Sequence, residues 1–420
     1  MNVLESFHHP EKYWKTLLKW GLLGVLMGII GGMLGALFHH ALHFVTHVRG
    51  EYPWVVFLLP LAGLASVGIY RLFRLRNNRG TNEIIDAILN GDSVNPLIAP
   101  VIFLATSITH LFGGSAGREG AALQLGGSVA SWLGRALRLK ENERTVLTMS
   151  GMAAVFAGLF GTPLTATVFT MEFASVGTIF SPALLPCYLA AFAASRVSAA
   201  LGVHAEVFYL NETLDLTVTV GGQVMLLAAA VGMLGILMCW FLHQAEHIAA
   251  KKLPNPWLRI AVGGAVITAM TLLVGDHRYN GAGMDMALAA VGGQADWYDF
   301  LLKLLFTAVT LSAGFKGGEI VPTFCIGATF GCVLGGLLGL DPGIAGALGL
   351  VGLFCSVTNS PIASIMLSIE MFGSANVYLF ALVCVIAFVL SGNWGLYASQ
   401  IIQFSRSRMV KREPRPEEHH

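Results

Sequence analysis

Charge is scarce in this sequence: 12% of its side chains are Asp, Glu, Lys or Arg, against 55% that are hydrophobic. A water-soluble domain carries about 25% charged residues, so half the usual hydrating surface is missing and a soluble enzyme is excluded. Net charge is also slight, at +1. That offers no basic stripe for phosphates and excludes a nucleic-acid partner. Cysteine is sparse and unpatterned. Cys187, Cys239, Cys325, Cys332, Cys355 and Cys384 lie in apolar stretches without CxxC spacing, and read as buried free thiols rather than a disulfide or zinc framework. A cleavable signal peptide is missing too: residues 1–19 are polar and aromatic, and the apolar run behind them is long enough to span a bilayer.

Glycine and apolar runs are what the chain has in quantity. Its 49 glycines suit helices that approach closely inside a membrane. Crossing a bilayer takes about 20 apolar residues in a helix, and the clearest candidates are 19–45, 54–73, 221–242, 257–274, 299–313 and 376–391. Shorter apolar segments broken by Gly and Pro occupy 97–112, 121–138, 145–160, 163–174, 183–202, 320–338, 343–357 and 361–371. Broken helices are tolerated at membrane depth only where they meet protein or a wet cavity, so their number points to a transporter or channel rather than an anchor. Polar connections fall at 74–96, 139–144, 203–220, 246–256 and 275–298.

Arg71, Arg74, Arg76 and Arg79 follow the second span, and Arg406, Arg408, Lys411, Arg412 and Arg415 cluster near the end of the chain. The positive-inside rule places both clusters, and therefore the N-terminus, in the cytoplasm. The expected organisation is a cytoplasmic segment 1–18, a first transmembrane repeat 19–202, a connecting loop 203–220, a second repeat 221–405 and a cytoplasmic basic tail 406–420, with no regulatory domain beyond residue 405.

The word repeat rests on matches at an offset of about 200 residues. Leu34-Gly35-Ala36-Leu37 resembles Leu234-Gly235-Ile236-Leu237, and His43 and His47 have counterparts in His243 and His247. The ten residues from Gly117 align with those from Gly318. Gly161-Thr162-Pro163-Leu164, followed by Glu172, aligns with Asn359-Ser360-Pro361-Ile362 and Glu370 at the same spacing. One such match is noise, but four in the same order are not. Weak repeats of opposite topology are how many transporters build a site at the bilayer midplane.

Two segments carry the chemistry. Gly113–Gly120 and Gly314–Pro322 are glycine-rich turns that each lead into an apolar helix-like run. Glycine leaves the backbone N–H groups at a helix start uncovered, and the helix dipole adds partial positive charge there. Two such ends meeting in the membrane would hold an anion without the full charge of a lysine, whose grip would oppose release. Glu119 is an intramembrane carboxylate on the first turn, a functional candidate by default; the bland reading is a cap or a partner for Arg118.

These residues resemble the CLC family of chloride channels and anion/proton antiporters. Gly117-Arg118-Glu119-Gly120 is similar to the family's GREGP motif, with Ala121 in place of proline. Gly317–Pro322 is similar to GGxFxP, Phe160–Leu164 to FNAPLAG, and Tyr397 to the tyrosine that closes the central anion site. The resemblance covers roughly residues 15–405. It implies an all-α polytopic membrane protein, a CLC-type inverted repeat of broken and tilted helices, assembled as a homodimer with one pore per subunit. It also implies that Glu119 is the external gating glutamate. The anion-binding set it suggests is Gly117, Arg118, Gly120, Ala121, Glu319, Ile320, Val321 and Tyr397, with Thr81 or Asn82 as a polar ligand where the GSGIP motif would fall.

Departures from the family narrow the expectation. The serine and proline of GSGIP are absent near 79–83, Phe173 stands where chloride/proton antiporters carry an inner proton glutamate, and Glu319 replaces an apolar residue. The Gly-Phe-Lys-Gly-Gly-Glu run is similar to the bacterial clade that exchanges fluoride for protons, although Val321 stands where members of that clade can have a threonine. The resemblance therefore implies fluoride export coupled to proton uptake, with a chloride-selective channel or chloride/proton exchanger of the same fold as the alternative. Glu319 is read either as a proton carrier or as a brace for its turn, with Lys316 as a potential partner. The expected partners are fluoride or chloride, protons, membrane lipid and a second copy of the chain, in a bacterial inner membrane. No cofactor, metal or enzymatic activity is expected. The competing motif is His243-Gln244-Ala245-Glu246-His247, a metalloprotease-like order, with His39, His43 and His47 at i, i+4 spacing. The repeat puts these two clusters at opposite membrane faces, which argues against a joint metal site.

Overall fold

The computed structural model describes residues 10–75, 78–210, 213–405 and 410–411. Among these, helices dominate and their order repeats. The first half holds α1 (Pro10–Glu51), α2 (Leu59–Leu72), α3 (Thr81–Asn90), α4 (Ile98–Leu111), α5 (Glu119–Ala136), α6 (Glu141–Phe160), α7 (Pro163–Glu172) and α8 (Leu184–Ala200). The second half answers with α9 (Val218–Lys252), α10 (Pro256–Val274), α11 (Met284–Val291), α12 (Asp299–Ala313), α13 (Ile320–Leu338), α14 (Pro342–Thr358), α15 (Pro361–Phe372) and α16 (Val377–Leu390). This is the inverted repeat of broken and tilted helices expected from the sequence. Arg76 and the tail residues Arg406, Arg408, Arg412 and Arg415 lie outside the described residues.

Span lengths differ in part from the sequence reading. The helices long and apolar enough to cross are Glu11–Glu51, Pro53–Leu72, Ser181–Ala200, Val218–Lys252, Pro256–Val274 and Ile320–Leu338. The segments read as spans at 299–313 and 376–391 form helices of 15 and 14 residues, which at 1.5 Å per residue reach only about 22 Å of a core about 30 Å thick. The segments at 183–202 and 320–338, placed among the shorter broken ones, reach crossing length. Two polar connections also contain helices, α3 and α11. In α3 the polar residues hide an apolar face, with Ile84, Ile85 and Ala87 buried.

Helix ends follow ordinary capping chemistry. Thr217 accepts the Val220 N–H at 3.2 Å, Asn255 the Trp257 N–H at 3.0 Å and Asp341 the Ile344 N–H at 2.8 Å, each satisfying an orphan donor of a first turn. The α6–α7 and α14–α15 corners are made alike. Gly161 and Asn359, at φ 72° and 61°, take the left-handed conformation that ends one helix before Thr162-Pro163 or Ser360-Pro361 opens the next.

Lipid is as apolar as leucine, so packing rather than water exclusion must hold these helices together. Small residues supply it. A Cβ on Gly126 of α5 would strike the Gly151 carbonyl of α6, and one on Gly327 of α13 would lie 2.5 Å from the Gly349 carbonyl oxygen of α14. The two crossings are the same contact in the two halves. α1 packs along α8 in the same manner, with Gly24, Gly28 and Gly32 against Pro186, Ala190 and Ala194. Outward-facing side chains such as Leu22, Leu37, Leu226 and Leu273 are left exposed, as an apolar solvent permits. All six cysteines are free and buried.

Candidate functional site

The two glycine turns meet. Gly117 donates its N–H to the Gly318 carbonyl at 2.7 Å, and Gly318 returns its own to Gly117 at 2.8 Å. A side chain is excluded on both sides: a Cβ on Gly317 would collide with Ala116, and one on Gly318 would sit 2.6 Å from the Gly120 nitrogen. The N-termini of α5 and α13 therefore converge on one point from opposite halves. Their first-turn N–H groups have no helical acceptor, and their dipoles add in sign.

Glu119 fills that point. It is fully buried, and its Oε2 accepts the N–H of Arg118 at 3.1 Å and that of Val321 at 3.1 Å. The carboxylate of one half thus occupies the helix start of the other, where a free anion would be held. Its Oε1 has no hydrogen-bond partner among the described residues, and neither do the Tyr397 hydroxyl and Gln124 Oε1. Buried polar atoms are nearly always paired, and these three side chains keep a polar atom free of any protein partner among the described residues.

Each remaining candidate has a definite place. Thr81, at the start of α3, directs its Oγ1 to within 3.2 Å of where a Cβ on Gly120 would stand. Asn82 turns away and accepts the Ser399 N–H at 3.0 Å, which ties α3 to the segment carrying Tyr397. Tyr397 is held from the other side by Gln400, whose amide donates to the Phe173 carbonyl at 2.6 Å and the Thr358 carbonyl at 2.9 Å. Parallel pairing of Ser175–Val176 with Ile401–Ile402 completes that tie. The Phe173 ring meets Tyr397 edge-on at 6.0 Å. Ala121 and Ile320 are fully buried in the first turns of α5 and α13.

Glu319 is the N-cap residue of α13; its side chain makes no capping bond to the first turn, and its backbone contact is with its own residue. Lys316 does not join it: the ammonium lies 4.7 Å above the Tyr70 ring, a cation–π contact. Glu172, next to Phe173, accepts the N–H groups of Ile362 at 3.2 Å and Ala363 at 2.9 Å. Glu370 reciprocates on Leu164 and Thr165, both at 2.8 Å. Each carboxylate caps the equivalent helix of the opposite half, which accounts for the shared spacing of the two halves.

Sequence reasoning missed three contributors. Gln124 donates to the Gly120 carbonyl at 3.1 Å and faces the site; a lone amide in an apolar run was its only signal. Lys303 is fully buried in α12 behind the first turn. It donates to Ser115 Oγ at 3.0 Å, the Tyr279 carbonyl at 3.1 Å and the Gly281 carbonyl at 2.7 Å, and a lysine inside a candidate span was the overlooked clue. Glu206, on the connecting segment, pairs with Arg118 at 2.5 Å. The histidines do not gather on a metal. His39 faces Arg118 at 3.2 Å, His243 lies 3.5 Å from the Leu396 carbonyl, and no group of three or more His, Cys, Asp or Glu among the described residues is placed to hold an ion.

Known proteins resemble this chain over most of its length. A family model described as voltage gated chloride channel matches residues 62–392. The chain is 33% identical over 424 aligned positions, covering 99% of its own length and 93% of the relative's, to a chloride/fluoride channel protein of Pseudomonas syringae pv. tomato. It is 26% identical over 368 positions, 83% of this chain and 86% of the other, to a voltage-gated ClC-type chloride channel ClcB of Salmonella typhimurium. Among solved structures, a CLC-type fluoride/proton antiporter superposes with a TM-score of 0.89 at 35% identity, covering 92% of this chain and 98% of that one. A slow cyanobacterial Cl−/H+ antiporter superposes with a TM-score of 0.76 at 19% identity, over 89% and 94% of the two chains, a likeness of fold.

Proposed function

Because the chain belongs to the voltage gated chloride channel family, and so is an integral membrane protein that transports anions, we propose that it exports fluoride in exchange for entering protons. The observation that carries this reading is the Glu119 carboxylate seated on the Val321 N–H at 3.1 Å. An ionised carboxylate there makes charge-assisted bonds and competes with a free halide for the same donors. Protonation removes the charge, weakens both N–H contacts, and lets the side chain leave with its proton while an anion takes the site. One group thereby links the two ions.

Fluoride is small and strongly hydrated, so a site for it must replace a dense shell of donors. The N–H groups of residues 118–121 and 319–321, which lie outside the helical ladder, supply them, with the Tyr397 hydroxyl and Thr81 at the edges. Phe173 leaves no carboxylate at the usual inner proton position, which concentrates proton handling on Glu119, with Glu319 second. The relatives named for fluoride, as a chloride/fluoride channel protein and as a fluoride/proton antiporter, support this choice over chloride.

The assembly we propose is a homodimer with one pore per subunit. Exposed apolar side chains on α7, α8, α15 and α16, including Leu164, Phe192, Ile362 and Val385, would pack against the second copy. Arg71 in the last turn of α2 and Arg74 just past it support cytoplasmic termini in a bacterial inner membrane, with 19–202 and 221–405 as the repeats and 203–220 as their link. The test is efflux from liposomes holding the purified protein. Fluoride should leave much faster than chloride, with protons moving the opposite way; chloride flux equal to or above fluoride flux refutes the fluoride assignment and favours the chloride channel or exchanger.

A further inference from the structure

Arg118 directly precedes the gate residue, yet its charge is turned aside. Nη2 donates to Glu206 Oε1 at 2.5 Å and Nη1 to His39 Nδ1 at 3.2 Å. The guanidinium lies over the Phe160 ring at 5.2 Å. Its closest approach to the Glu119 carboxylate is Nε to Oε1, at 3.9 Å, beyond hydrogen-bond range. Arginine can only donate, so His39 accepts through Nδ1 and holds its ring proton on Nε2. Among the described residues, the carboxylates in ion-pair range of Arg118 are Glu119 and Glu206.

Glu206 is held in place from beneath. Its N–H donates to the Phe160 carbonyl at 3.1 Å, and the Phe208 N–H to the Met371 carbonyl at 2.8 Å. A Cβ on Gly161 would lie 2.5 Å from Ala205 Cβ, so the segment that joins the two halves is pressed onto the α6–α7 corner beside the gate.

We propose that Glu206 is a positioning residue for transport, which with His39 holds the Arg118 charge away from Glu119. A guanidinium free to rotate would hydrogen-bond the carboxylate at a buried position, where such pairs are strong and hard to break. Glu119 would then stay seated, and the exchange of carboxylate for anion would stall. With the fork engaged by Glu206, the gate is held by the backbone N–H groups of Arg118 and Val321 and by Nε of Arg118 only at 3.9 Å, a grip that one proton can release. This rests on the reading of Glu119 as the gate. The other groups that face the pair are Glu319 and Tyr397 toward Glu119, and His110 toward Arg118; His40, His43 and His204 surround His39.

The test measures fluoride efflux from liposomes across a series of symmetric pH values. It compares the unaltered protein with Glu206→Gln, Glu206→Asp, Glu119→Gln and the double variant Glu206→Gln/Glu119→Gln. Glu206→Gln should slow efflux at neutral pH about tenfold and move the half-maximal pH about one unit lower, the effect of bringing a guanidinium onto a carboxylate. Glu206→Asp should recover part of the loss. In the Glu119→Gln background the same substitution should change the rate less than about twofold, because no carboxylate remains to be trapped. His39→Leu, which removes the lesser tether, should give a smaller shift in the same direction and serves if Glu206→Gln fails to fold. An unmoved pH profile, or equal slowing with and without the Glu119 carboxylate, overturns the proposal. If the unaltered protein moves no fluoride, the transport reading itself is what fails.

Discussion

Glu119→Gln is the most informative single change. The glutamine side chain keeps the shape but loses the charge and cannot carry the transported proton. Its amide oxygen can take the place of Oε2 on the Arg118 and Val321 N–H groups, both at 3.1 Å. A hydrogen bond to a charged group contributes about 1.5–3 kcal/mol and a neutral one about 0.5–1.5, so two bonds lose about 2 kcal/mol together. At 1.4 kcal/mol per factor of ten, a competing anion finds the site about 30-fold easier to enter. The NH2 group falls where Oε1 stands without a partner, which weakens the seat further. Fluoride movement should therefore persist or rise while its link to protons disappears. Liposomes loaded with fluoride and followed with a fluoride electrode and a pH dye measure both ions at once. Proton movement driven uphill by a fluoride gradient in this variant refutes the gating argument.

Other expectations concern the frame around the gate. Gly318→Ala places a methyl 2.6 Å from the Gly120 nitrogen, which must separate the turns; efflux should fall at least about tenfold, since a misplacement near 1 Å is enough for a 10²-fold loss, and unchanged efflux would show that the turn contact is not needed. Tyr397→Phe removes a hydroxyl with no protein partner, so thermal stability should hold within about 0.5 kcal/mol while fluoride efflux falls several-fold; a large drop in melting temperature would reveal a structural bond. Lys303→Met leaves Ser115 Oγ and the Tyr279 and Gly281 carbonyls without their donor, and should destabilise the protein by about 2–4 kcal/mol, seen as earlier thermal aggregation in detergent. Glu370→Ala uncaps α7 at Leu164 and Thr165 and should cost about 1–2 kcal/mol with proton coupling intact.

The scarcity of charge, the glycine turns and the matched Gly/Asn-x-Pro corners lie in the order of the residues. They determine by themselves that the chain lives in lipid, that it is built twice, and that Glu119 and Glu319 stand at paired helix starts. Composition records which solvent a surface can face, and glycine records where backbones must touch, so both survive reduction to a string. Span length was less legible. The run at 299–313 read as a span and that at 320–338 as a broken segment, but the helices that form have 15 and 19 residues, so their lengths reverse the order. The amphipathic α3 was hidden because its polar face outvotes Ile84 and Ile85 when polarity alone is counted. Long-range partners were the least legible. Arg118 stays within 3.9 Å of its neighbour Glu119 but gives its hydrogen bond to Glu206, 88 positions away, because only the packed loop brings that carboxylate within 2.5 Å. Electrostatic pairing depends on distance in space, and the helix crossings that set that distance are fixed by small-residue contacts that no single stretch of sequence contains.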